Sequence, residues 1–112
     1  NIEAIGIVDR FLEHTRFMIF CNDGNEECYI SSADLMTRNI EHRIEVTCPV
    51  FDKNIKSELK RIFEIQWADN VKARRLDLSL SNKMVKTGKD PVHSQMEVYN
   101  YFRKINAKCS DK

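Results

Sequence analysis

At 112 residues, 42% of them apolar, the chain has the size of one ordinary domain and can close one core but not two. Eighteen basic against seventeen acidic side chains leave a formal net charge of +1, which excludes attraction of a polyanion by bulk charge and requires a local cluster for any such site. The apolar run Ile2 to Val8 is too short to span a bilayer and has neither the basic flank nor the cleavage site of a secretion signal.

That first run, rich in Ile and Val and without helical period, predicts a strand buried on both faces. It starts at Ile2 without an initiator Met, so a domain within a longer chain is expected. Phe17 to Cys21 and Cys28 to Ser31 favour β structure and are separated by Asn22-Asp23-Gly24-Asn25, which readily takes positive φ; together they predict a hairpin. Cys21 and Cys28 flank its turn, but none of the four cysteines, Cys48 and Cys109 included, forms a Cys-x-x-Cys pair or a zinc pattern with His14, His42 or His93. Reduced cytosolic thiols are the expectation.

Ile44, Val46, Cys48 and Val50 alternate with Glu45, Thr47 and Pro49, predicting a strand with Pro49 near its end or on an edge. Asp52 offers an N-cap to an amphipathic helix in which Ile55, Leu59, Ile62, Phe63 and Trp67 recur at helical spacing through about Asp69. Val71 to Leu76 predicts a short strand, and Asp77 to Asp90, with Ser79, Ser81, Asn82, Thr87 and Gly88, a loop. A last helix is expected from about Val92 to Ala107, with Met96, Tyr99, Phe102 and Ile105 in phase, followed by a fraying tail from Lys108. Strands alternating with helices on so short a chain predict an α/β layered domain.

The chemistry concentrates in Leu12 to Val46, where a histidine enters a strand, a basic residue follows two positions on, and a hairpin leads to Ser31-Ser32-Ala33-Asp34, Arg38, Asn39 and Glu45. An imidazole can attack, protonate or hydrogen-bond a phosphoryl oxygen while guanidinium and hydroxyl groups hold its charge. A hairpin lays the start of one strand beside the end of the next, so His14 and Arg16 are expected near Ser31 and Ser32, with Arg38 and Arg43 closing over the anion. This order resembles the phospholipase D superfamily signature, with Arg16 where that family has lysine.

A closer resemblance covers nearly the whole chain. IVDRFLEH (Ile7 to His14), YISSADLMTRN (Tyr29 to Asn39), RIEV (Arg43 to Val46) and DNVKARRLD (Asp69 to Asp77) are similar to the C-terminal domain of bacterial polyphosphate kinase. The resemblance implies a single domain over residues 1–112, a phospholipase D-like α/β fold with a mixed sheet flanked by helices. It also implies reversible transfer of the ATP γ-phosphate to inorganic polyphosphate, with Mg²⁺ bound mainly outside this segment and the phosphohistidine in a neighbouring domain. The isolated segment would then be inactive. His14 matches the family's second essential histidine, acting as acid or oriented donor, and Arg16, Arg38 and Arg43 join it in binding ATP phosphates. Lys72 and Arg74, in a basic run with Arg75, are candidates for a polyphosphate channel.

By the same resemblance the partners are ATP or ADP, polyphosphate and the remaining domains of the parent chain, not nucleic acid. The parent would be a cytoplasmic homo-oligomer, in some members peripheral to the inner membrane. The chain departs from the family at Leu35, usually Trp, at Asp23-Gly24-Asn25, usually Gly-Gly-Asp, and near His93, usually Arg. Two other functions fit parts of the pattern: a phospholipase D-type phosphodiesterase half-site, which needs a second His-x-Lys motif, and a non-catalytic polyanion-binding module. Arg38 and Arg43 have ordinary surface pairing with Asp34, Glu41 or Glu45 as their alternative, and His42 and His93 are expected to be solvated without a role.

Overall fold

The computed structural model describes residues 2–86, 88 and 90–110, the last three by their backbone alone. Thr87 of the expected loop, the Cys109 thiol and the tail beyond Ser110 lie outside the described residues. In chain order the elements are β1 (Ile5–Ile7), β2 (Phe17–Phe20), a 3-10 turn (Asn22–Gly24), β3 (Glu27–Ser31), α1 (Thr37–Glu41), β4 (Thr47–Val50), α2 (Lys53–Trp67), β5 (Ala73–Arg75) and α3 (Ser94–Ser110). The architecture is α/β, with small sheets flanked by helices, as a phospholipase D-like domain requires. The chain divides into two compact units, Glu13–Arg61, and Asn1–Leu12 together with Ile62–Lys112.

Within Glu13–Arg61 the sheet order is β2-β3-β4, both pairs antiparallel. The hairpin forms as its turn chemistry demands: Asn22, Asp23 and Gly24 have φ of 42°, 51° and 86°, a backbone that Asn, Asp and Gly tolerate best. Its register pairs Phe17 with Ile30 and Ile19 with Cys28, so Cys28 faces Ile19 across the ladder and not Cys21, and both thiols are free. Cys28, 2% exposed, is the apolar centre of this unit. Pro49 sits in the edge strand β4, where its missing N–H costs no ladder bond on the open side. That strand is shorter than expected: Ile44 and Val46 precede it and are exposed, and ahead of the register that starts at Thr47 only the Val46 carbonyl joins, accepting from the Ser32 amide at 3.0 Å. The five-residue α1 was not legible as a helix.

Asp52 caps α2 as expected, its Oδ1 accepting from the amides of Asn54 (2.8 Å) and Ile55 (3.0 Å). Lys56 and Lys60 on the same helix reach back to Glu26, to its carbonyl at 3.0 Å and its carboxylate at 2.7 Å.

In the other unit β1 pairs antiparallel with β5, and Met84 adds a bridge beyond Arg74. The expectation of a strand at Ile2 to Val8 buried on both faces is corrected: only Ile5–Ile7 pair, these three are half-buried, and Ile2 and Val8 are exposed. A single neighbouring strand covers too little of β1 to bury it. The unit is organised instead by a buried carboxylate. Asp69 Oδ1 accepts from the amides of Val71 (3.0 Å), Lys72 (2.7 Å) and Ala73 (2.9 Å), and Oδ2 from that of Ser94 (2.8 Å). One side chain thus ties the end of α2 to the start of β5 and the start of α3. Asn70 beside it binds the Asp90 carbonyl (3.0 Å) and the Val92 amide (2.8 Å), fixing the entry to the last helix. These contacts give the Asp-Asn of the DNVKARRLD run a structural reason. Helix α3 runs on through Lys108–Ser110.

Candidate functional site

His14, Arg16, Arg38 and Arg43 all fall in the Glu13–Arg61 unit. Arg16, just before β2, is half-buried and held from two sides: its Nε donates to Asp34 Oδ1 at 2.5 Å and its NH1 to the His14 carbonyl at 3.1 Å. Its NH2 approaches His14 Nδ1 at 3.4 Å, a long contact. The donor and acceptor roles in that contact depend on the tautomer of the ring. The backbone places Asp34 there. The Ser31 amide donates to the Arg16 carbonyl (2.8 Å) and extends the β2-β3 ladder to the level of Arg16, and the chain then turns through Ser32 and Ala33.

Asp34 is the centre of the cluster. The hydrogen bond from Arg16 holds its carboxyl below the ordinary carboxylate range, against partial burial, with further help from the charges of Arg16, Arg38 and His14. In return Asp34 raises Arg16 further above its ordinary value. Arg38, on α1, donates from Nε to the Asn39 Oδ1 at 3.4 Å, a long contact, and acts on Asp34 through its charge.

A second carboxylate sits alongside. Glu45 accepts a short hydrogen bond from the Ser32 hydroxyl and one of 2.8 Å from Asn39 Nδ2. These two bonds hold its carboxyl low, with burial opposing and Arg43 and Arg16 assisting. Asn39 is 3% exposed, so its bond to Glu45 fixes α1 relative to the segment that precedes β4. The two serines behave differently from expectation. Their backbone does lie beside Arg16, but Ser32 Oγ is engaged by Glu45 and the Val46 amide (3.1 Å), and Ser31 Oγ by Thr47 (3.0 Å) and the Ala33 amide (3.1 Å). The hydroxyls shape the turn. The structure therefore pairs Arg16 with Asp34 and sets it against the His14 carbonyl, while Arg38 and Arg43 make no hydrogen bond to either carboxylate among the described contacts and act on Asp34 and Glu45 through their charge. Leu35, beside the cluster, is almost wholly exposed.

Lys72 and Arg74 belong to the other unit. Lys72 acts electrostatically on Asp9, and Arg74 donates to the Asn82 carbonyl at 3.0 Å, so neither stands as an isolated surface cation. His42 is solvated as expected, but His93 is not: its Nε2 makes a short contact with Asp9 Oδ2, whose side chain is 5% exposed. Burial works against ionisation of Asp9, yet the His93 bond, the Arg10 amide and the neighbouring charges win, and its carboxyl is lowered. Next to it Gln95 grips the Phe11 backbone twice, accepting from its amide (3.1 Å) and donating to its carbonyl (2.7 Å). Sequence reasoning missed this clasp. Its partners are 84 positions apart, and the one signal was the polar His-Ser-Gln run at the start of a helix.

Among the described residues no three His, Cys, Asp or Glu side chains are grouped to hold a metal ion, and Asp34 and Glu45 are already engaged by Arg16, Ser32 and Asn39. No helix among the described residues is long and apolar enough to cross a membrane.

The family model described as polyphosphate kinase C-terminal domain 2 matches residues 1–95. The polyphosphate kinase of Vibrio cholerae serotype O1 is 49% identical over 106 residues, which are 94% of this chain and 15% of that protein. That of Escherichia coli K12 is 47% identical over 106 residues, again 94% of this chain and 15% of the relative. Among solved structures, polyphosphate kinase from Porphyromonas gingivalis superposes with a TM-score of 0.90 at 43% identity, covering 96% of this chain and 17% of that one. The chain thus spans about 15% of the length of the curated relatives it matches.

Proposed function

Since this chain belongs to the polyphosphate kinase C-terminal domain family, we propose that it is one lobe of a longer polypeptide that reversibly transfers the ATP γ-phosphate to inorganic polyphosphate. In this reading residues 1–112 supply half of a composite phosphate site, and the phosphohistidine and Mg²⁺ are held by other parts of the chain. The observation that carries it is Arg16 held between the Asp34 carboxylate and the His14 carbonyl, beside the His14 ring.

Asp34 and the His14 carbonyl hold Arg16 in a fixed orientation, so the entropy of ordering a long cation is already lost before an anion arrives. Arg38 and Arg43 add charge around the same turn, and a bound phosphate would be met by planar, fork-shaped donors. His14 is exposed beside Arg16, and its ring serves as a donor to a phosphoryl oxygen or, as the imidazolium, as the acid that protonates it. Catalysis of phosphoryl transfer rests on such positioning and charge stabilisation. Lys72 and Arg74, in the other unit, are contacts for the polyphosphate chain in this reading. ATP or ADP and polyphosphate are then the ligands, the parent is a cytoplasmic homo-oligomer, and the segment alone is inactive.

The test is ATP-dependent polyphosphate synthesis by the full-length parent and its His14→Ala variant, with circular dichroism to confirm folding. We expect a loss of at least about 100-fold, the scale of one acid–base group; retained synthesis in a folded variant rejects the role of His14. A phosphodiesterase half-site would need a second His-x-Lys motif, from a duplicated chain or a dimer, and this chain carries Arg16 where that motif has lysine.

A further inference from the structure

The histidine of the proposed site sits on a segment outside any helix or strand. Pairing of β1 with β5 ends at Ile7 and β2 begins at Phe17. Between them Val8, Arg10, Phe11 and Leu12 are exposed, so this stretch buries little apolar surface. Two polar side chains supply what packing does not. His93, just ahead of α3, makes its short contact with the nearly buried Asp9 carboxylate. Gln95, in the first turn of α3, accepts from the Phe11 amide at 3.1 Å and donates to the Phe11 carbonyl at 2.7 Å. A carboxamide that takes both main-chain groups of one residue fixes the orientation of that residue's backbone as well as its position.

The base of this clasp is itself anchored. The Val92 amide donates to Asn70 Oδ1 and the Ser94 amide to Asp69 Oδ2, both at 2.8 Å, and Asp69 and Ser94 are buried. His93 lies between those two held amides, and Gln95 directly follows them. Phe11 is thereby tied to a buried point of its own unit. The chain reaches His14 three residues later, after at most about 11 Å of extended backbone. Beyond that point the His14 carbonyl receives Arg16 NH1 at 3.1 Å, so the stretch that carries the imidazole is held both before and after the ring.

We infer that His93 and Gln95 are positioning residues for His14: by clasping Asp9 and Phe11 they restrict the segment that presents its ring to a phosphoryl group. They act through the covalent chain and not on the phosphate. A group that works in the transition state loses rate when its position spreads, and a misplacement near 1 Å costs on the order of 100-fold. Loss of the clasp removes no apolar packing, since Phe11 and Leu12 are exposed already. Its effect therefore falls on the order of this segment and not on the core. The inference rests on the role proposed for His14, and the experiment tells the failure of one from the failure of the other.

The test is steady-state synthesis of polyphosphate from ATP by the full-length parent carrying Gln95→Ala or His93→Ala, each alone and combined with His14→Ala. We expect each single change to lower kcat by about 10-fold while KM for ATP stays within about twofold, because what is lost acts only in the transition state. In the His14→Ala background neither should add more than about a twofold loss, since nothing is left to position. His93→Arg still pairs with Asp9 and should keep kcat within about threefold of the parent. A raised KM at unchanged kcat, an equal loss in the His14→Ala background, or no difference between His93→Arg and His93→Ala overturns the inference. Should Gln95→Ala not fold, Gln95→Glu takes its place, keeping the acceptor for the Phe11 amide without the donor to its carbonyl. Failure of both to fold shows a structural role and also overturns it. A large loss in His14→Ala beside unchanged kcat in Gln95→Ala and His93→Ala strikes this inference alone. Full synthesis by His14→Ala strikes the role of His14 and this inference with it.

Discussion

Replacing Asp69 by alanine removes the acceptor for four backbone amides, and the structure says which of the four matter. Val71 and Lys72 lie where water can reach them, whereas Ala73 and Ser94 are 0% and 1% exposed. Two donors are therefore left without partners in a dry site. At about 1–3 kcal/mol for each buried unsatisfied group, the cost comes to about 4 kcal/mol, or roughly a thousandfold in the local opening equilibrium. Hydrogen exchange at Ala73 and Ser94 in the full-length protein reads this directly, and we expect both amides to accelerate by 10²- to 10⁴-fold. Asp69→Asn should fall between wild type and alanine. Its amide can still accept at one oxygen but turns an N–H toward that of Ser94. The pH dependence has a definite sign. Burial opposes ionisation of Asp69, but the bonds from Ser94, Lys72 and Ala73 outweigh it and lower its pKa from the ordinary 3.8. The stabilisation is thus fully present above 3.8 and is lost as pH falls through the lower folded value. Asp69→Asn should lack that acid-side loss. Less than tenfold acceleration in Asp69→Ala refutes the idea that one carboxylate organises the unit.

Other consequences can be measured with equal directness. Arg16→Lys keeps the charge but loses the planar fork that spans Asp34 and the His14 carbonyl; we expect polyphosphate synthesis by the full-length parent to drop by about 10- to 100-fold with the fold intact, and near-normal rates would show that charge alone suffices. Asp52→Ala removes the cap of α2 and should cost about 1 kcal/mol in denaturant unfolding, with Asp52→Asn or Asp52→Ser restoring most of it. Hydrogen bonds from the Ser81 side chain and amide and from Ser79 lower the Asp77 carboxyl from 3.8 to about 2. The loop contacts it makes are present above 3.8 and lost as pH falls toward 2, and a carbon-detected carboxyl titration with a midpoint near 4 would contradict them.

The sequence by itself determined the elements whose causes are local. Asn22-Asp23-Gly24 closes the hairpin because those residues tolerate positive φ, Asp52 starts α2 because a carboxylate two and three residues ahead of free amides caps them, and the apolar spacing behind it makes the helix. Those causes act within a few residues, so they can be read without a fold. The four linear motifs likewise pointed to the family, and to His14 and the arginines as the residues to watch. What only the tertiary structure decided is which groups those residues meet: Arg16 with Asp34, Ser32 and Asn39 with Glu45, His93 with Asp9 across 84 positions, and Asp69 with the start of α3. It also left β1 half-buried where composition suggested a central strand. A buried polar group accepts whichever donor the packing brings within about 3 Å, and that choice depends on how distant segments are laid together rather than on any preference written near the residue.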